Sequence, residues 1–81
     1  MKKKLSAMNY DEKGVVETIE REFKEKLAGM GIRVGKKIKM LTKQPIKGPV
    51  VVVVDEAETS LGLGIAKKIT VEVKNEGLTH G

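Results

Sequence analysis

Five consecutive valines, Val50–Val54, limit the fold of this chain more than any other feature. So dense a run of β-branched residues favours extended backbone and disfavours helix. It cannot be solvated on either face. The run is therefore expected to be a strand covered on both sides, or one wrapped tightly in a small barrel. With only 81 residues in the sequence, one domain is expected, and a domain of this size buries about 60% of its unfolded surface. The core is thin, with little room for a deep catalytic cleft.

The segments around the valines fit a mainly β chain. Val15 to Glu20 is rich in β-branched residues and is predicted to be a first strand. The period changes over Arg21 to Met30, where Phe23, Leu27 and Met30 fall on one narrow helical stripe. Gly29 or Gly31 ends that helix, since glycine takes the left-handed conformation without a Cβ penalty. After Gly35, inward Ile38, Met40 and Thr42 alternate with Lys37, Lys39, Leu41 and Lys43, the pattern of a half-buried strand with its lysines in water. A loop follows with Pro45 and Pro49, then the valines, a polar turn over Asp55–Thr59, a short strand over Thr59–Leu63, and a last strand from Ile69 with Ile69, Val71 and Val73 inward. The expected fold is a small barrel of five strands with one α-helix inserted after the first. It forms a single domain over residues 1–81 with a core of about 5–74, and residues 1–4 and 75–81 are read as flexible tails.

Charge is polarised along the chain. The formal net charge is +5. Between Arg33 and Lys47 every charged residue is basic (Arg33, Lys36, Lys37, Lys39, Lys43, Lys47), whereas acids outnumber bases from Asp11 to Lys26. That asymmetry points to a surface with a preferred partner. The chain has no cysteine, which removes disulfides and thiolate metal sites. Its N-terminus lacks the apolar core of a signal peptide, and no apolar run is long enough to span a bilayer. A cytosolic location is expected.

Catalysis finds no support. His80, the sole histidine, stands next to the C-terminal residue, and no serine or threonine has a base in reach of a structured site. Asp55, Glu56 and Glu58 are close in sequence, but they are read as a solvated turn rather than a cation site. No phosphate-binding glycine motif is present, and the glycines and lysines of Gly31–Lys37 lead into a strand, not a helix N-terminus. No metal ligand, catalytic residue or cofactor is assigned.

The order of these motifs resembles a known family. Leu27, Gly31, Ile32, Arg33, Gly35 and Ile38, in the spacing L-x-x-x-G-I-R-x-G-x-x-I, precede a loop with a proline on either side of Lys47–Gly48. The valine strand follows, and then L-G-L-x-I-A-x-x-I-x-V over Leu61–Val71. The opening L-x-x-M-x-x-x-x-K-G-x-V, from Leu5, fits as well. The whole is similar to FeoA, the small ferrous iron transport protein A. The resemblance implies an SH3-like barrel that docks on the cytosolic part of FeoB, the membrane Fe(II) transporter, as a non-enzymatic accessory of iron uptake. A similar barrel ends the iron-dependent repressors. Gly64 and Ile65 depart from the charged or polar residues the family often carries there.

For the docking surface, the residues expected to touch a partner are Ile32, Leu41, Lys43, Pro45, Ile46 and Lys47, a small apolar patch with a basic rim. Leu61, Leu63 and Met30 are read as core before contact. Two other readings stay open, a basic RNA-binding barrel and a regulatory metal-sensing domain. Against the first, single-strand readers stack bases on aromatics, and here the aromatics are Tyr10 and Phe23. Direct membrane insertion is not expected, and weak self-association stays open.

Overall fold

The computed structural model describes residues 1–43 and 48–74. Its elements in chain order are β1 (Lys2–Lys4), a 3-10 turn (Leu5–Ala7), β2 (Lys13–Ile19), α1 (Arg21–Ala28), β3 (Lys37–Lys43), β4 (Val50–Val54), β5 (Ala57–Leu61), α2 (Leu63–Ala66) and β6 (Ile69–Val73). The strands form one antiparallel, six-stranded sheet in the order β1-β6-β2-β3-β4-β5. The mainly β architecture with one principal helix after the strand Lys13–Ile19 agrees with expectation. The strand count does not, because Lys2–Lys4 pair with β6 through Lys3↔Val71 rather than forming a loose tail. Among the described residues no backbone ladder joins β1 to β5, so the sheet is coiled but not closed.

Two bulges help to curl it. The register shifts between Val16 and Thr18 where β2 meets β6, and between Met40 and Thr42 where β3 meets β4. An extra residue in one strand raises the local twist and bends it. The second bulge also ends the simple alternation of β3: Met40 is buried, but Thr42, expected inward, is exposed. The inner face carries Val16, Ile38, Met40, Val50, Val52, Val54, Val71 and Val73, joined by Leu5, Met8, Leu27 and Ile69, with no buried polar side chain among the described residues. The valine strand is covered fully on one face only. Val51 and Val53 are half-buried on the other, where Val53 stands opposite Lys39. The aliphatic stem of a lysine covers apolar surface while its ammonium stays in water, so partial cover is enough.

Helix α1 packs its stripe on this core. Leu27 is wholly buried, and Phe23 and Met30 lie partly buried against the cluster. The helix closes through Gly31, whose φ is 84°. Gly31 N donates to Ala28 O (3.0 Å) and Ile32 N to Leu27 O (2.9 Å), the paired bonds of a Schellman motif. Gly29 stays in helical conformation, so the second of the two glycines named from sequence is the stop. Gly14 answers a different demand. A Cβ there would lie 2.5 Å from both Glu72 O and Val71 Cγ1. The residue is glycine because β2 and β6 approach closely there.

Strand β5 begins earlier than its sequence suggests. The turn after the valines is only Asp55–Glu56, with φ of 52° and 67° and Val54 paired to Ala57. Two successive positive φ values make a type I′ hairpin turn. Leu63, expected at the end of this strand, instead starts α2 after Gly62.

Candidate functional site

The expected contact residues do not all reach the surface. Ile32 is wholly buried and is withdrawn as a contact. The Schellman closure explains this, since the residue after the left-handed glycine turns back onto the helix and packs near Leu27. Pro45, Ile46 and Lys47 lie outside the described residues. Leu41 and Lys43 remain, both half-buried at the end of β3. Leu41 occupies the β3 bulge, and Lys43 stands opposite Val50 with its Nζ 3.5 Å from Ser6 O.

A residue not picked out as a contact from sequence joins them. Tyr10 is 59% exposed, yet its hydroxyl donates to Lys43 O at 3.0 Å. The ring is tethered across the end of β3 while its face stays open. Its neighbour Asp11 holds this geometry, with φ of 62° and its N–H donating to Met40 O at 2.7 Å. An aromatic in a polar opening loop, with no apolar periodicity around it, is the signal that could have marked this position. Phe23, in contrast, packs on the core.

The same corner is braced by ions. Lys3 Nζ lies 3.0 Å from both carboxylate oxygens of Glu12, and Asn9 N donates to Glu12 Oε1 at 2.8 Å. Burial alone would push the Glu12 carboxyl up. The Asn9 N–H and the Lys3 ammonium outweigh it, and the carboxyl ends below its ordinary value. At the edge, the N-terminal ammonium binds Glu72 and lowers that carboxyl too.

Two concave features lie elsewhere on the surface. One, of about 320 Å³, lies beside α1 between Lys24, Ala28, Arg33 and exposed Val34, with Ile32 beneath it. The other, of about 170 Å³, lies on the outer face of β2, β3 and β4 among lysines. Among the described residues no group of three histidine, cysteine or carboxylate side chains is placed to hold a metal ion. Asp55 pairs with Lys36 instead, at 2.6 Å.

A coiled antiparallel sheet with one principal helix packed on its core is the architecture of an SH3-like β domain. Solved structures agree. The crystal structure of an iron uptake regulatory protein, FeoA, is 31% identical, with 91% of this chain and 99% of that one covered at a TM-score of 0.83. A FeoA-like protein from Clostridium acetobutylicum is 30% identical over 89% of this chain and 86% of that one, at a TM-score of 0.78. FeoA of Stenotrophomonas maltophilia, described as a prokaryotic SH3 domain protein, shares the fold at 24% identity and a TM-score of 0.71, with 89% of each chain covered. The FeoA domain model matches residues 3–73, and the chain belongs to the FeoA family, which is associated with ferrous iron transport. No curated protein matches the sequence.

Proposed function

We propose that this chain is a non-catalytic docking module of ferrous iron uptake, acting in the cytoplasm on the cytosolic part of a FeoB-like transporter. Family membership supports the iron-uptake setting. One observation supports docking: Tyr10 keeps its ring exposed while its hydroxyl is anchored to Lys43, beside half-buried Leu41. An aromatic ring held in place loses little conformational freedom on binding, which favours it as an anchor. Leu41 and Lys43 belong to the patch; Pro45, Ile46 and Lys47, named from sequence, lie outside the described residues. Among the described residues no helix is long and apolar enough to cross a membrane.

Docking regulates a transporter only through a difference in affinity between its conformations. A domain that favours one state of the cytosolic region shifts the population toward it. The test is co-purification and affinity measurement with the transporter's isolated cytosolic domain. Tyr10→Ala is expected to weaken binding about tenfold or more, the loss of an aromatic anchor, with the thermal midpoint close to that of the parent. Leu41→Asp, checked for fold by circular dichroism, is expected to remove binding. Unchanged affinity in both folded variants would eliminate this patch as the contact.

A further inference from the structure

The lysines on the outer face of the sheet line up in a way that surface solubility does not explain. Lys13 of β2 stands directly opposite Lys39 of β3. Beyond Lys13, Lys74 N donates to Lys13 O at 3.3 Å, carrying the row onto the end of β6. Lys37 is two residues from Lys39 on the same face. Together they line the depression of about 170 Å³, with Val53 and Asp55 at its β4 end. Neighbouring strands are about 4.8 Å apart, so the row spans roughly 10 Å.

Like charges set directly opposite on a sheet are destabilising. Lysines are often placed on sheet edges to prevent edge-to-edge pairing, but the edges here are β1 and β5, and β2 and β3 lie inside the sheet. The local counter-charge is small. Asp11 lies 3.7 Å from Lys39, and Asp55 is taken up by Lys36 at 2.6 Å. Among the described residues, Lys13, Lys37 and Lys74 have no acidic group within 4.0 Å.

We infer that this lysine face, Lys13, Lys37, Lys39 and Lys74, is the electrostatic half of the docking surface and receives an acidic segment of the partner protein. The inference rests on the docking reading and specifies its chemistry. Charge complementarity carries it, together with continuity: Lys39 is two residues from Leu41, and its ion partner Asp11 follows Tyr10. The acidic occupant relieves the cross-strand repulsion and steers the encounter. A lone small anion fits less well, because the depression is shallow and the strand N–H groups beneath it are committed to the ladder. A nucleic-acid strand fits less well because no aromatic lines it.

The decisive experiment compares the parent protein with Lys13→Gln/Lys37→Gln/Lys39→Gln and with the corresponding triple change to Glu. An equal-charge control, Lys24→Gln/Lys26→Gln/Lys67→Gln, alters exposed positions elsewhere. Affinity for the transporter's cytosolic domain is measured over a salt series. The face variant to Gln is expected to lose about tenfold or more in affinity and to flatten the salt dependence. The Glu variant loses more, and the control stays within about twofold. Face and control variants falling equally would overturn the inference, as would a face variant that binds like the parent while Tyr10→Ala does not. If the parent itself fails to bind, the docking reading fails. The face is then judged by amide chemical shifts on adding a hexaglutamate peptide: shifts at Lys13, Lys37 and Lys39 support it, and their absence overturns it. Loss of binding to a single-stranded oligouridine in the face variant, with partner binding retained, also overturns it.

Discussion

The two faces of the same strands work under different rules. On β3, Ile38 and Met40 point inward and are almost completely removed from water, while Lys37 and Lys39 point outward into a depression open to solvent. On β4, Val50, Val52 and Val54 are core, and Val51 and Val53 are only half covered. The inner face has no buried polar side chain among the described residues, so its energy comes from apolar burial and close packing. The outer face has little to bury and much charge. On the docking reading proposed above, stability and recognition are divided between alternate residues of one strand, about 3.4 Å apart along the backbone.

That division is testable from the inside outward. The largest effect is expected from Met40→Ala, which empties a fully buried position opposite Val52. It should cost about 2–5 kcal/mol in denaturant unfolding, while any folded fraction keeps its partner affinity. A loss smaller than that of an outer-face lysine change would break the comparison. Gly14→Ala comes next. Its methyl would meet the Glu72 carbonyl at 2.5 Å, and pushing β2 from β6 should cost about 1–3 kcal/mol. Because β2 also carries Lys13, this variant sharpens the comparison if it weakens both stability and binding.

The smallest effect belongs to the rim, where Lys3 and Glu12 join the faces. Their side chains are 18% and 19% exposed. Glu12→Gln should cost about 1 kcal/mol at neutral pH. The folded carboxyl lies below its reference value of 4.5, so the folded state binds its proton less readily than the unfolded state. The contribution is complete above pH 4.5 and fades as pH falls through the folded value. Parent and variant should therefore converge in stability on acidification, measured as thermal midpoints across the pH series. A constant difference down to strongly acidic pH would show that the carboxylate's charge contributes nothing.

Much of the scaffold could be read directly from local pattern. The β-branched run makes a strand whatever surrounds it, Phe23, Leu27 and Met30 mark one helical face, and the alternation of Ile38 and Met40 with Lys37 and Lys39 assigns a face to each residue. These signals are local because they arise from χ1 restriction and side-chain period. Lys2–Lys4 could not be read this way, since three lysines have no apolar alternation and their ladder is supplied by β6 at the other end of the chain. The two-residue length of the Asp55–Glu56 turn was not legible because it lacks the usual glycine. Of the residues named from sequence for the candidate patch, Leu41 and Lys43 lie half-buried at the end of β3, while Tyr10 required the hydrogen bond to Lys43 and Ile32 was lost to the core.

By itself, then, the order of residues determined the class of fold, the helical stripe and, up to the bulge in β3, which residues of that strand share a face, because those follow from neighbours a few positions apart. Only the tertiary structure decided which residues from separate strands stand side by side. It set Lys13 opposite Lys39, Tyr10 over Lys43 and Gly14 under Glu72. Register across a sheet depends on bulges and on hydrogen bonds between distant segments, and no local period encodes it.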